Sequence, residues 1–142
     1  MSLLSTGPGW FPVAVQALVV LAGTEGRCSS NTMVQDLQAH AVFVRRVLAQ
    51  LVRAGLVEAR EGRDGGYRLA RSAEHITLAD VYRVVKQGEP QEITESSGSV
   101  NERIQILLDE VGAEVEQLLL TSLGQHTLAS VAERMSLSGQ TS

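Results

Sequence analysis

The chain has 142 residues, of which 44% are hydrophobic and 4% aromatic, and its formal net charge is −4. This length predicts one domain with a short appendage at most. No run approaches the roughly 18 consecutive apolar residues of a transmembrane helix, and the N-terminus lacks the basic region of a signal peptide, so we expect a cytoplasmic protein with no membrane partner.

The residues that could bind a metal or carry out catalysis are few and scattered. Cys28 is the single cysteine, so neither a disulfide framework nor a zinc or iron–sulfur site can be built from thiolates. The three histidines lie far apart, and no nucleophile elbow, phosphate loop or zinc-protease motif is present. We predict no enzyme, no cofactor and no metal. Cys28 is interpreted as a small turn residue rather than a redox sensor, because no second thiol could resolve an oxidised form.

The charge is unevenly distributed along the chain. Residues 40–71 contain seven arginines against three acidic residues, a net charge of +4, whereas residues 88–142 carry a net charge of −7. One surface of such a molecule can approach phosphates while its acidic C-terminal part stays clear of them.

Hydrophobic periodicity predicts helices over residues 12–22, 29–39 and 42–54, with Ser29 or Ser30 as the cap of the second. The inward stripes are Val15, Leu18, Val19 and Ala22 in the first, Met33, Val34 and Leu37 in the second, and Val44, Val47, Leu48 and Leu51 in the third. Two helices joined by a tight connection form a helix-turn-helix. Strands over 56–60 and 67–70 follow, and their turn at residues 64–66 predicts a hairpin, which is a wing in this position.

Beyond the hairpin, Thr77 is expected to cap a fourth helix over residues 78–87. Residues 89–99 are polar and predict a linker. A long helix begins at Val100, and Thr127 caps a last short helix that ends near Met135 before a frayed tail. The predicted organisation is therefore a winged helix-turn-helix domain over 10–88, the linker, and a C-terminal part over 100–136.

The hairpin tip and the start of the third helix are the candidate nucleic-acid contacts. Arginines and glycines alternate in the tip, namely Arg60, Arg63 and Arg68 around Gly62, Gly65 and Gly66. Such a tip can approach phosphates or a minor groove, although its glycines could serve turn geometry alone. The third helix begins with His40, Ala41, Val42, Phe43, Val44, Arg45 and Arg46. In a major groove, Arg45 and Arg46 could pair with guanine. Phe43 could equally contact DNA or fill the core, and Arg53 fits a helix C-terminal charge or a backbone contact.

The long helix carries an apolar seam at steps of three and four residues. Its members are Val100, Ile104, Leu107, Leu108, Val111, Val115, Leu118 and Leu119. The seam could pack on its own domain, but its length and the preceding linker favour packing against a second copy. Gly112 would weaken an isolated helix by about 1 kcal/mol and would permit close approach of a partner helix.

The run VRRVLAQLVRAGLVEAREGRDGGYRLAR, followed by ITLADVYRVV and preceded by the helix FPVAVQALVVLA, resembles the Rrf-two (Rrf2) family of bacterial winged-helix transcriptional regulators. The resemblance implies a homodimer, paired through the long helix, that regulates promoters at palindromic operators. It assigns DNA contacts to Val42, Phe43, Arg45 and Arg46 and, in the wing, to Arg63, Gly65, Gly66 and Tyr67.

Well-known members of this family bind an iron–sulfur cluster through three cysteines after the fourth helix. This chain has none there and resembles the cysteine-poor branch, so that chemistry is not expected. The resemblance leaves open an unidentified small-molecule or redox effector. The sequence predicts a mainly α-helical regulator with a β-hairpin wing and a dimerisation helix, most simply a repressor that binds double-stranded DNA. The alternative is a winged-helix protein-interaction module that does not bind DNA.

Overall fold

The computed structural model of the protein describes residues 10–37, 39–63, 65–88 and 99–140. Over these residues the chain forms six α-helices, a short 3-10 turn and one antiparallel hairpin. The elements are α1 (Trp10–Ala22), α2 (Ser30–Leu37), α3 (Ala41–Arg53), β1 (Val57–Arg60), β2 (Gly66–Leu69), the 3-10 turn (Ala73–His75), α4 (Leu78–Gly88), α5 (Ser99–Leu123) and α6 (Leu128–Gln140). The predicted fold, mainly α-helical with a small β-hairpin, is confirmed.

The helix α3 has the buried face that its periodicity predicts. Val44, Val47, Leu48 and Leu51 recur at steps of three and four, and all four side chains are buried in the core. The opposite side of the helix is left to polar and exposed residues, as expected of an amphipathic helix at a domain surface. The core therefore fixes which side of α3 faces solvent.

The buried face of α1 differs from the prediction. Leu18 is buried as expected, but Ala22 is exposed, and Val15 and Val19 are only half-buried. The remaining buried positions are Ala14, Ala17 and Leu21. The physical reason is that α1 packs against α2, α3, α4, α6 and β2 together, so it has no single inward stripe for a 3.6-residue period to reveal.

The hairpin is joined to the segment before α2. The strands pair antiparallel, with Val57 opposite Leu69 and Arg60 opposite Gly66. The Cys28 N–H donates to the Tyr67 carbonyl at 2.9 Å, and the Tyr67 N–H donates back to the Cys28 carbonyl at 2.8 Å. Cys28 thus acts as a one-residue third strand, which holds the hairpin against the start of α2.

The helices α4 and α6 are each capped by a threonine, and the two threonines are neighbours in space. The Asp80 N–H donates to Thr77 Oγ1 at 3.1 Å and the Ser130 N–H donates to Thr127 Oγ1 at 3.1 Å, so both predicted caps are confirmed. Thr77 and Thr127 also face each other in an isolated antiparallel bridge. Because Leu128 joins the main hydrophobic core, α6 belongs to the same packed unit as α1–α4 and the hairpin, which we call the winged-helix body.

Most of the helix α5 does not pack against the winged-helix body. From Val100 to Val115 every side chain is exposed. Glu116, Leu119 and Leu120 are half-buried, and Leu123 is buried. Within the described ranges, no helix combines the length and the hydropathy that crossing a bilayer requires.

Several predicted boundaries shift. The helix α1 begins two residues earlier than expected, and α6 continues to Gln140 rather than ending near Met135. Serine and glycine lower helix propensity in that last stretch without blocking the helix, because proline is absent from it. Most of the predicted linker, residues 89–98, lies outside the described residues, as does Asp64 of the hairpin turn. The division at residue 88 stays a prediction.

Candidate nucleic-acid interface

The exposed side of α3 presents two arginines next to an apolar residue. Arg45 and Arg46 follow Val42 by three and four residues, opposite the buried face of the helix. They therefore share one face within the first turn and a half of α3. Among the ion pairs formed by described residues, neither arginine has an acidic partner. Their guanidinium groups can reach a ligand in solvent.

The residues flanking this face have different environments. His40 is exposed at the N-cap of α3, where its side chain makes no capping hydrogen bond. Phe43 is half-buried, and its ring packs edge-to-face on Trp10 with a centroid separation of 5.1 Å. This packing favours the interpretation of Phe43 as a core residue at the rim and leaves only part of the ring for a DNA contact. Arg53 is exposed at the last residue of α3.

The hairpin tip carries the second group of arginines. Arg60 and Arg63 are exposed, and with the glycines of the tip they line an open cleft of about 500 Å³. Ser29 and Ser30 also line this cleft. The sequence had identified these serines only as helix caps, and Ser29 does accept a hydrogen bond from the Thr32 N–H at 3.2 Å. Their place beside the wing depends on the bridge between Cys28 and Tyr67, which no local pattern reveals.

Arg68, also predicted to bind DNA, is engaged within the protein. Its Nε donates to Glu58 Oε2 at 2.8 Å across the hairpin, where the two residues are directly paired. Both side chains are about half exposed, so the pair contributes little to stability. A phosphate contact by Arg68 would have to compete with this carboxylate, whereas Arg60 and Arg63 have no such competitor among the described ion pairs.

The wing glycines have structural roles of their own. Gly66 has φ +135°, and a Cβ at this position would lie 2.7 Å from the Cys28 carbonyl oxygen. Gly65 is also closely surrounded by the backbone of the tip, whereas Gly62 has φ +108° and open space around it. The half-buried Tyr67 packs against the core. Gly66 and Tyr67 therefore hold the wing against Cys28 and the helical core, whether or not they contact DNA.

Cys28 is a poor candidate for redox or metal chemistry. Burial raises the pKa of its thiol, and the negative charge of Asp36 raises it further, so the reactive thiolate is disfavoured. Among the described residues, no group of three or more histidine, cysteine or acidic side chains could hold a metal ion. A cysteine-ligated iron–sulfur cluster needs several thiolates, and one buried thiol in the whole chain does not fit it.

The predicted apolar seam on α5 is uncovered in the single chain. Seven of its members, Val100, Ile104, Leu107, Leu108, Val111, Val115 and Leu118, have exposed fractions between 49% and 72%. Leu119 is half-buried against its own domain. Intramolecular packing, the first alternative for this helix, therefore applies only to its C-terminal end. A contiguous apolar surface of this kind is uncommon on a monomer and typical of an interface.

Comparison with known proteins gives a consistent result. The model of the Rrf2 family, described as an iron-dependent transcriptional regulator, matches residues 10–134. The solved structure of T. potens IscR has a TM-score of 0.69 and 25% identity, covering 92% of this chain and 88% of that one. The Bacillus subtilis protein YwgB, whose name assigns it provisionally to the HTH-type transcriptional regulators, is 29% identical over 132 residues, 86% of this chain and 81% of that protein.

A shorter match is closer in sequence. Protein aau3 of Rhizobium meliloti (strain 1021) is 51% identical over 45 residues, which are 32% of this chain and 29% of that protein.

The fold and these similarities define a winged-helix transcriptional regulator. The chain belongs to the Rrf2 family. The description of the family mentions iron, but this chain cannot ligate an iron–sulfur cluster through cysteines, because its sequence contains only one cysteine. Among the described residues, no group of three potential ligands lies together.

Proposed function

We propose that the protein is a dimeric, sequence-specific DNA-binding repressor of transcription that binds a palindromic operator. In this proposal α3 enters the major groove, where Arg45 and Arg46 contact base edges. The wing, through Arg60 and Arg63, contacts the backbone or the adjacent minor groove. The observation that carries the proposal is the outward face of α3, where two arginines without an acidic partner among the described residues lie opposite a fully buried stripe.

Charge and geometry support this assignment. The acidic residues of the chain concentrate in its C-terminal part, while the arginines concentrate in α3 and the hairpin. An arginine that donates two hydrogen bonds to guanine contributes about 1–3 kcal/mol of discrimination against other bases. Contacts to phosphates add affinity without sequence preference. The two groups of arginines would therefore have separable roles, α3 in specificity and the wing in affinity.

The dimer is supported by the apolar seam of α5. A second copy offers the same seam, so a two-fold interface is self-complementary. Gly112 lies on the seam between Leu108 and Val115, and a Cβ there would meet nothing within 4 Å in the single chain. A small residue at this position would let two helices approach closely. Two-fold symmetry also fits DNA, since a dimer can place one α3 helix in each of two successive major grooves.

Repression is the simplest regulatory outcome of such binding. A dimer that covers two successive major grooves excludes other proteins from the same stretch of promoter DNA, and this needs no additional contact surface. In vitro transcription from a promoter that contains the bound sequence should fall as protein is added. An increase in transcript would instead identify an activator.

The DNA-binding test uses duplexes selected by the protein from a random-sequence pool. We expect binding to weaken steeply with salt, because neutralised phosphates release counterions. The double variant Arg45→Ala/Arg46→Ala should lose at least about tenfold in affinity for the selected duplex and should discriminate poorly against a scrambled one. Arg63→Ala should weaken binding to both duplexes and lower the salt slope by about one per protomer.

Arg134→Ala provides the matched control for Arg63→Ala. Arg134 is exposed on α6, distant in sequence from α3 and the hairpin, and its loss changes the net charge by the same single unit as Arg63→Ala. It should leave the salt slope and the specificity unchanged. Absence of salt-sensitive binding to any selected duplex would contradict the DNA-binding proposal and favour a winged-helix protein-interaction module. Equal binding by the wild-type and Arg45/Arg46 variant would refute the assignment of α3.

A further inference from the structure

We infer that Val42 is a specificity-determining residue that recognises the 5-methyl group of thymine in the major groove. The inference rests on the proposed function, because it requires α3 to lie in that groove. It goes further by naming a base and a chemical group that the protein distinguishes. The observation is an apolar side chain, 62% exposed, at the second residue of α3 and on the same face as Arg45 and Arg46.

Among the residues that the structure describes, none accounts for the exposure of Val42. Phe43, its neighbour in sequence, packs on Trp10, and the buried stripe of α3 begins at Val44. Val42 is absent from the side chains that pack against the hydrophobic core. An isolated exposed valine is not unusual on a protein surface, so position is what distinguishes this one. It lies in the first turn of the helix, beside the two arginines that the proposal places on base edges.

The chemistry of the exposed face limits what it can recognise. Its exposed members within α3 are Val42, Arg45, Arg46, Ala49 and Arg53. Arginine supplies hydrogen-bond donors only, while valine and alanine supply methyl groups. None of these exposed side chains carries the carboxylate that would accept from the cytosine amino group or the carboxamide that pairs with adenine, and the carboxamide oxygen of the half-buried Gln50 is enclosed in the protein. Donors select guanine, and methyl groups select thymine, the one base with an apolar group in the major groove.

The spacing within α3 limits where this thymine lies. The α-carbons of Val42 and Arg45 are separated by about 4.5 Å along the helix axis, and successive bases on one strand are about 3.4 Å apart. The two side chains therefore contact neighbouring positions of one half-site. We expect the thymine within about three base pairs of the guanine that Arg45 or Arg46 contacts.

Replacement of single thymines by deoxyuridine in the selected duplex tests this directly, because the substitution removes only the methyl group. At one symmetric pair of positions the wild-type affinity should fall by about fourfold per half-site, and by roughly 15-fold for the palindrome, from the loss of buried methyl surface. Val42→Ala should bind the thymine duplex more weakly by a similar factor. It should also be insensitive to deoxyuridine at that position.

Two controls separate this effect from general weakening. Val42→Ile keeps the branched methyl groups and should retain the deoxyuridine penalty. Arg45→Ala/Arg46→Ala should retain a deoxyuridine response, measured at low salt, while losing its response to 7-deazaguanine, which lacks the N7 acceptor. The fold of Val42→Ala is not at risk, since alanine has the higher helix propensity at this exposed site.

The inference is overturned if no thymine in the selected duplex responds to methyl removal. It is equally overturned if Val42→Ala keeps the full penalty. In both cases sequence-specific, salt-sensitive binding can persist, so the proposed function would survive. If no duplex is bound at all, the proposed function and the inference fail together.

Discussion

The winged-helix body and the helix α5 use the same apolar residues in opposite ways. In the body, the stripe of α3 that begins at Val44 is buried, as are Val81 and Val85 of α4, and Leu128 of α6 is 0% exposed. On α5, leucine and valine recur with similar regularity, but from Val100 to Leu118 they remain about half exposed or more. The difference teaches that a hydrophobic period predicts a buried face without saying which chain buries it. The body completes its own core, whereas we propose that a second copy of the chain covers the seam of α5.

Truncation of one leucine in each region should separate the two roles most clearly. Leu128→Ala is expected to lower the free energy of unfolding by about 2–5 kcal/mol, because it leaves a cavity in the core. Leu107, 60% exposed on α5, should contribute to association instead. Leu107→Ala should shift the monomer–dimer equilibrium with little change in the stability of the monomer. Urea unfolding at several protein concentrations measures both effects, and a large concentration-independent loss for Leu107→Ala would contradict the comparison.

The two regions also contain contrasting glycines. Gly66→Ala should destabilise the protein by roughly 1–3 kcal/mol, because it combines a positive φ with a clash against the Cys28 carbonyl, and DNA affinity should fall as the wing is displaced. Gly112→Ala should stabilise the α5 helix by about 1 kcal/mol yet weaken the dimer. Thermal melts and sedimentation equilibrium report these quantities. A Gly112→Ala chain that dimerises more tightly would refute close helix approach at this position.

The reactivity of the Cys28 thiol reports how firmly the wing is attached to the segment before α2. Its raised thiol pKa means that less thiolate is present at pH 8 than in an ordinary cysteine, and burial further limits access. Alkylation of the folded protein at pH 8 should be at least about tenfold slower than in urea, and the rate should rise with pH. Rapid modification of the folded chain at pH 8 would show that the hairpin opens readily from α2.

The smallest expected change in stability comes from breaking the ion pair that joins the winged-helix body to α5. Lys86 of α4 forms an ion pair with Glu116 of α5, and both side chains are partly exposed. Lys86→Ala should therefore cost less than about 1 kcal/mol. The matched change Glu116→Gln should have an effect of the same size, and the double variant should show little additional loss in urea unfolding. A loss of several kcal/mol would mean that this pair, rather than apolar packing near Leu123, fixes the direction of α5.

The sequence predicted those parts of the molecule whose signals are local. The buried stripe of α3 and the threonine caps of α4 and α6 follow from residue spacing and capping chemistry, and both are confirmed. The predicted buried face of α1 was wrong, because a helix that packs against five elements has no single hydrophobic period. The bridge between Cys28 and Tyr67 joins residues 39 positions apart, so no window of sequence contains it. The pairing of Arg68 with Glu58 depends on the hairpin register, which no local pattern of residues reveals. A DNA contact by Arg68 stays a prediction.

The central claim is that α5 joins two bodies whose α3 helices bind DNA together, and half-site spacing tests it most directly. Insertion of five base pairs between the half-sites of the selected palindrome places them on opposite sides of the duplex. The account predicts that wild-type affinity then falls to that of a single half-site, whereas a Leu107→Asp/Val111→Asp chain binds both duplexes equally and weakly. Equal wild-type affinity for the two spacings would contradict the account.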